Sequence, residues 1–276
     1  MSIKTLIFIL TFTLTFFSCS KQEKAVESRA QVSDSTALRV AVFPSSDALP
    51  LLLASDWGIL DEQGARAEIA VYRSQLDAEK ALADGKADVV LTDKHRIEWW
   101  QQKGTPIQFA FATRRPLYIV PNKQLRITRI DQLDDRMIAG SRYSLDDDFT
   151  DHAVAKIKKR KGQILRPQIN SVELRLSMLL AGQLDAAVLN TLQAVKARAA
   201  GYSPLNIAEG VAMQGAVAYR VAEPQSRKVA NLQRAYQKAV ERLHRSATMP
   251  PISATTCEAL YLTDGIDTLL NAKTDF

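Results

Sequence analysis

The chain has 276 residues, with 36 Lys and Arg against 30 Asp and Glu for a formal charge of +6. The basic residues are scattered except for "KIKKRK" at Lys156–Lys161. A nucleic-acid reader would carry such a run on a groove-reading element, whereas at a helix end it complements the macrodipole and is solvated, so no nucleic-acid partner is expected. There are two cysteines, Cys19 and Cys257, which leaves no room for a disulfide framework if the first is modified.

The first element is a leader. Lys4 precedes the uncharged run "LIFILTFTLTFF" (Leu6–Phe17) and then "SCS" at Ser18–Ser20. At about 1.5 Å per residue the run reaches about 18 Å, short of the roughly 30 Å hydrocarbon core. A positive start, an apolar run and a small residue predict a secretory signal over 1–18, a membrane anchor helix being the alternative. The phrase around Cys19 resembles a bacterial lipoprotein box, which implies cleavage before Cys19 and lipidation of its thiol. The chain is then exported and lipid-anchored to a bacterial membrane. Residues 19–37 are polar, without apolar period, and read as a flexible tether.

"LRVAVF" (Leu38–Phe43) predicts a buried strand ended by "PSSD". "ALPLLLASDWGIL" follows at helical spacing and stops near Gly58, and "ARAEIAVY" alternates into a second strand. "SQLDAEKALADG" predicts a helix with Ser74 as N-cap and Gly85 as its stop. "KADVVLT" is a third strand and "DKHRIEWWQQKG" another helix, ended by Gly104. Alternating strand and helix predict a parallel sheet with helices on both faces, an α/β fold.

"IQFAFATRRPLYIVP" (Ile107–Pro121) predicts a long extended stretch broken by Pro116. Beyond it come a short helix and a strand ending at Ser141, then a helix with Ser144 as N-cap and acids in its first turn. "LLAGQLDAAVLN" (Leu179–Asn190) then repeats the phrase "LADGKADVVLTD" (Leu82–Asp93), with Gly182 standing for Gly85 and Asp185 for Asp88. Each copy is a helix end, a stopping glycine and a buried strand with polar residues at its carboxyl end, where ligands of open α/β sheets bind. "QGAVAYRVA" (Gln214–Ala222) is a second long extended segment. A basic amphipathic helix and a short helical tail complete the chain. The organisation expected is lobe I from 38–114 and 206–276, lobe II from 115–205, and hinges near 107–121 and 214–222.

The phrase "LRVAVF…LPLLLASDWGILDEQGARAEI…SQLDAEKALADGKADVVLTD" resembles the opening of the two-lobed binding proteins of ABC importers. It is most similar to the branch serving sulfonates, taurine, nitrate and the pyrimidine precursors of thiamine. The phrases that carry the likeness are Ala54, Gly58, Ile59 and Leu60, then Gly85 with Asp88–Val89, and in the second half "LRLSMLLAGQLDAAVLN". The resemblance implies two Rossmann-like lobes joined by a two-segment hinge that close on one small molecule and present it to ABC permease subunits. It implies a monomer without a cofactor or metal. "PSSDALP" lacks the His- or Asn-containing phrase of pyrimidine binders, so the ligand is left as a small organic anion or a heterocycle.

Such a cleft needs a few polar groups on both walls. Ser45, Ser46, Asp47, Thr92 and Asp93 are expected from lobe I, and Ser141, Arg142, Tyr143, Ser144 and Asn190 from lobe II. Arg114 and Arg115 lie at the first hinge, where a guanidinium clamps an anion bidentately or latches the lobes, and Arg114 joins the expected set. Ser144 reads equally as a plain N-cap. Asp93 and Arg96 (i, i+3) are spaced for a mutual salt bridge. Of Trp99 and Trp100, one is expected against the sheet and the other at the cleft mouth.

An exported enzyme and a ligand-sensing lipoprotein are the rival readings. An enzyme needs a nucleophile–base pair or a metal cluster. Only His95, His152 and His244 exist, no HExxH, CxxC or glycine-rich phosphate loop appears, and the cysteine-rich phrase of fungal pyrimidine-synthesising relatives is absent. Cys257, with no evident base, reads as a small buried hydrophobe. The expectation is a binding protein, not an enzyme.

Overall fold

The computed structural model describes residues 37–158, 162–207, 214–221, 225–246 and 251–262. The expected leader, Cys19 with its lipid, and the tether up to residue 36 lie outside them, as does the end of the basic run at 159–161. In chain order the elements begin β1 (Leu38–Val42), α1 (Leu49–Asp56), α2 (Ile59–Glu62), β2 (Ala67–Val71), α3 (Gln75–Ala83), β3 (Val89–Asp93) and α4 (Lys94–Gln102). They continue with β4 (Ile107–Arg114), β5 (Leu117–Pro121), two short 3-10 turns (Lys123–Leu125, Ile130–Leu133) and β6 (Ile138–Ala139). The rest are α5 (Leu145–Ala155), α6 (Val172–Leu180), β7 (Ala186–Asn190), α7 (Thr191–Ala199), β8 (Gln214–Arg220), α8 (Gln225–Arg245) and α9 (Ala254–Ala259).

These strands build two sheets, one per lobe: β2-β1-β3-β8-β4 and β5-β7-β6. The βα units place β1 parallel to both β2 and β3. The parallel arrangement expected of β1, β2 and β3 forms, and the long extended segments read as hinges add antiparallel pairings to both sheets. β8 lies antiparallel to β3 and β4, and β5 antiparallel to β7. The reason is connectivity: β8 and β5 carry the chain into a lobe from the other lobe rather than through a crossover helix, so they run against the βα strands, whereas β4 carries it out of the first lobe and runs with them. β4 and β5 are separated only by Arg115 and Pro116. The ring of Pro116 fixes its φ and keeps the residue before it out of the helical region. One extended stretch thus leaves the first sheet and enters the second.

Both sheets are covered on both faces. In β1 and β3 the side chains of Val40, Val42, Val89 and Leu91 pack towards α1 and α8, while Ala41 and Val90 pack towards α3 and α4. In the second sheet Ile119 and Val188 meet Phe149 and Ala153 of α5, whereas Val120, Ala187 and Leu189 meet Leu176 and Leu179 of α6. Period-2 alternation sends neighbours to opposite faces, and each large aliphatic buried this way contributes about 1.5–3 kcal/mol.

The repeated phrase has one structural job in both lobes. Gly85 (φ +73°) and Gly182 (φ +75°) end α3 and α6 in the left-handed region that favours glycine. Asp88 then accepts from the backbone N–H of Arg39 (3.0 Å), the first residues of β1, and from its guanidinium (2.7 Å). Asp185 accepts likewise from the N–H of Met137 (2.9 Å), just ahead of β6. Each aspartate ties the start of its own strand to that of the parallel neighbour, far from the polar strand ends.

Candidate functional site

At the carboxyl ends of the strands the lobes face each other across a cleft. On one wall stand Phe43 at the end of β1, and Arg73, Ser74 and Gln75 at the start of α3. On the other stand Ser141, Asp146, Asn170, Val172, Arg175 and Asn190, with Arg115 and Leu117 of the hinge between. Three helices begin here. Ser74 caps α3 by accepting from Asp77 N–H, Ser171 caps α6 by accepting from Leu174 N–H, and Asn190 caps α7 by accepting from Leu192 N–H. Their remaining free N–H groups and the positive ends of their dipoles converge on one space, which favours an anion.

Behind the first wall lies a buried polar network. Asp47, fully buried, accepts from Arg115 Nε (3.0 Å), Thr113 Oγ1 (2.6 Å) and Ser45 Oγ (2.7 Å). Arg115 also donates to Gln75 Oε1 (3.0 Å) and to the carbonyl of Thr92 (2.7 Å), and its guanidinium stands 4.7 Å over the Phe43 ring. Burial works against its charge, but the charge of Asp47 and their hydrogen bond outweigh it and hold the guanidinium above its ordinary value. Burial first, and Asp47 second, likewise push the Tyr236 phenol far up. A Cβ on Gly215, the β8 residue paired with Asp93 and Thr113, would overlap Asp47 Oδ2 and stand 2.5 Å from Thr113 Oγ1. Glycine is required there by close approach rather than by its φ.

The network continues into α4. Thr92 Oγ1 donates to Glu79 (2.7 Å), and Gln75 Nε2 donates to Asp93 (2.7 Å). Asp93 caps α4 through Arg96 N–H (3.0 Å). The side-chain salt bridge expected between Asp93 and Arg96 does not form, because the Arg96 guanidinium turns to the buried Glu79 (2.7 Å). Glu79 lies one α3 turn from Gln75 and offers a second carboxylate that sequence spacing on α4 alone could not reveal.

Three polar contacts bridge the walls directly. Asp93 Oδ2 accepts from Leu145 N–H at the start of α5 (3.2 Å), and Asn190 Nδ2 donates to the carbonyl of Pro44 (3.1 Å). The half-exposed pair of His95 Nδ1 and Asp148 Oδ2 is 3.1 Å apart. Burial pushes the Asp148 carboxyl up, with His95 opposing and Asp93 adding to it. With the lobes so joined the cavity between them measures about 20 Å³, close to the space of a single water.

The expected site residues fall into three groups. Ser141 and Asn190 line the cavity. Ser45, Asp47, Thr92, Asp93 and Ser144 are buried in the networks behind it, and Ser46 is buried beside them with a hydroxyl that has no hydrogen-bond partner. Arg114 is exposed at the end of β4, and Tyr143, at positive φ, is 72 % exposed with Arg142 beside it (5.7 Å) and paired to Asp147 (3.4 Å). The first-turn acids of α5 do more than face the dipole: Asp146 holds Arg175 (2.6 Å) and Asp147 holds Arg166 (3.0 Å). Trp100 is buried against the sheet, and Trp99 is 46 % exposed over Arg96 rather than lining the cavity.

Among the lining residues that the sequence reading did not place at the site are Arg73, Gln75, Asn170 and Arg175. Arg175 carried a signal. It sits in "VELRLSMLL" among Val172, Leu176 and Leu179, a charge on the core-facing stripe of α6. Buried arginines are paired; this one donates to Asp146 and to the carbonyl of Val188 (2.7 Å) and leaves its Nε without a partner. Arg73, exposed and next to a cap, carried none.

Among the described residues no group of three or more His, Cys, Asp or Glu is placed to hold a metal, and no helix is long and apolar enough to cross a membrane. Solved structures share the fold. A ligand-binding component of an ABC-type import system from Staphylococcus aureus, with zinc bound, superposes with TM-score 0.69 at 14 % identity, covering 86 % of this chain and 83 % of that one. The alkanesulfonate-binding protein SsuA from Xanthomonas axonopodis pv. citri, bound to MOPS, gives 0.69 at 17 % identity over 88 % and 84 %. The periplasmic aliphatic sulphonate binding protein SsuA from Escherichia coli gives 0.64 at 15 % over 86 % and 81 %. No curated protein matches the sequence. A family model described as NMT1/THI5 like matches residues 45–245, most of the folded part, and with the two-lobed architecture already in view the chain belongs to the NMT1/THI5-like family.

Proposed function

We propose that the chain is the solute-binding component of an ABC importer, exported and held at a bacterial membrane by a lipid on Cys19. It captures a small organic anion or a heterocycle between lobes 38–114/206–276 and 115–205 and delivers it to permease subunits. The observation that carries this reading is the convergence of three helix N-termini, Arg73 and Arg175 on one cavity between two lobes. Phe43 and Leu117 supply apolar walls for the body of such a molecule. The likeness to sulfonate-binding proteins supports the same class.

In this role Ser141 and Asn190, joined by Arg73, Gln75, Asn170 and Arg175, touch the ligand. Ser45, Asp47, Thr92, Asp93 and Ser144 hold those groups from behind, Ser46 keeps a buried hydroxyl without a partner next to them, and Arg114, Arg142 and Tyr143 stand at the rim. A cavity of about 20 Å³ admits nothing larger than water, so capture requires the lobes to part at Arg115–Pro116 and close again. The ligand drives closure only through better contacts with the closed state.

A thermal-shift screen of sulfonates, organic acids, amino acids, pyrimidines and vitamins tests the reading. At a hundred times its dissociation constant the cognate compound stabilises the fold by about 2.7 kcal/mol, roughly 5–11 °C at this size. Arg73→Met removes a charge from an exposed position and should abolish the shift without lowering the unliganded Tm. A folded sample that responds to no compound in the screen overturns the proposal.

A further inference from the structure

Away from the cleft, α8 carries a feature that solute capture does not use. Its buried side is Val229, Leu232, Ala235, Tyr236, Ala239 and Leu243, packed on α1 and α2. On the opposite side Arg227, Arg234, Lys238 and Arg245 are all exposed. At about 100° per residue their spacing of seven, four and seven keeps all four within roughly 20° of one line, and at about 1.5 Å per residue that line runs about 27 Å. The helix has a single acidic residue, Glu241, 3.8 Å from Arg245 in a largely exposed pair. The row ends in an open groove of about 390 Å³ where Lys238, Arg242 and Arg245 meet Ile59, Glu62 and Glu241.

The point where the first residues of the chain join the fold lies against this helix. Leu38 N–H donates to the carbonyl of Arg66 (2.8 Å), and two residues earlier the carbonyl of Gly64 accepts from Asn231 Nδ2 of α8 (2.8 Å). Upstream, the apolar run ends at Phe17, and the residues between it and Leu38 span at most about 70 Å when fully extended. A membrane holding the start of the chain is therefore within reach of the basic row.

We propose that the outward face of α8 docks on an anionic lipid bilayer. Arg227, Arg234, Lys238 and Arg245 meet the headgroup phosphates in one line, and the groove at the end of the row accepts one headgroup. A straight row of long cations fits a flat anionic surface, each contributing independently within a Debye length. The buried stripe of α8 keeps the row facing outwards. The proposal draws on the membrane attachment proposed above, yet its test does not.

Residues from Thr36 on form a compact unit of their own, and this part lacks Cys19 and the apolar run. It should sediment with mixed phosphatidylcholine–phosphatidylglycerol vesicles at low ionic strength, not with phosphatidylcholine alone, and should be released by high salt. Arg227→Glu, Arg234→Glu, Lys238→Glu and Arg245→Glu together should lower the partition coefficient by about a hundredfold or more. Reversing Lys80, Lys86, Lys94 and Lys103, exposed on α3 and α4 and just after them, changes the net charge equally and should lower it less than threefold. If the quadruple reversal does not fold, the four glutamine substitutions replace it. A folded domain that ignores anionic vesicles overturns the proposal and leaves the row to an acidic protein partner. Equal losses in both variants overturn it in favour of attraction by net charge alone.

Discussion

Replacing Arg115 by methionine keeps most of the side-chain volume and deletes the charge at the centre of the buried network. Asp47 would keep only the hydroxyls of Ser45 and Thr113 while remaining fully buried, and Gln75 Oε1 and the Thr92 carbonyl would lose their donors. Removing one member of a buried ion pair costs about 3–5 kcal/mol, because the other is left as an uncompensated charge. At roughly 2–4 °C per kcal/mol for a domain of this size, Tm should fall by about 6–20 °C. The assay is reversible thermal or urea unfolding followed by circular dichroism, and Asp47→Asn combined with Arg115→Met supplies the double-mutant cycle. Taking away both charges should recover at least about 1–2 kcal/mol relative to the sum of the single losses. A loss below about 1 kcal/mol in the single variant, or strict additivity in the cycle, refutes the claim that this pair organises the wall behind the cavity.

Gly215→Ala should cost about 1–3 kcal/mol by forcing Asp47, Thr113 and Arg115 apart, and it should blunt any ligand response. Gly85→Ala, at positive φ with open space around it, should cost about 1–2 kcal/mol through backbone strain alone and leave the cleft untouched; both are read by urea titration. Asp88 lies below the ordinary carboxylate range: its burial acts against this, but the side-chain and backbone hydrogen bonds from Arg39 outweigh it. The unfolded chain therefore binds more protons there, so this contribution is complete above about pH 4 and disappears as pH falls through the depressed value. Asp88→Asn should flatten the acid limb of a Tm-versus-pH curve and leave its slope above pH 5 unchanged. Burial, and then the charge of Asp56, push the Cys257 thiol up, so alkylation by iodoacetamide at pH 8 should be slower than that of a free small-molecule thiol. Faster alkylation would refute this and make Cys257 an activated thiol.

The parts of the fold legible in the sequence are those set by local rules. Ser74 before a helical period, Gly85 and Gly182 after one, and "VVLTD" between them dictate their own conformations, and each appears where the pattern puts it. Strand direction is not local. Nothing within "QGAVAYR" states that it will run against β3, since that depends on a route through the other lobe. The site divides in the same way. Asn190 and Ser141 were legible as polar residues at strand ends, whereas the side chain of Gln75 is fixed at the cleft by partners distant in sequence, Asp93 and Arg115, which no local pattern announces. The repeated aspartates drew attention as a shared phrase and turn out to be clamps between strand starts, since the chemistry that makes a carboxylate a ligand group also makes it a good partner for a backbone N–H.

The bonds between the walls have a thermodynamic side. Asp93 to Leu145, Asn190 to Pro44 and His95 to Asp148 are made by the protein with itself around a cavity of about 20 Å³, so a cargo too large for that cavity holds the walls further apart when the lobes close on it and competes with these bonds. By ordinary magnitudes the charged bond is worth about 1.5–3 kcal/mol, the amide bond about 0.5–1.5, and the half-exposed pair at most about 1. Their total is subtracted from the intrinsic affinity, at about a factor of ten for every 1.4 kcal/mol. Weakening them, far from damaging a receptor, would tighten its grip. The strength of its own clasp therefore sets the cargo concentration at which such a protein fills, and that concentration can be retuned by substitutions that never touch the cargo.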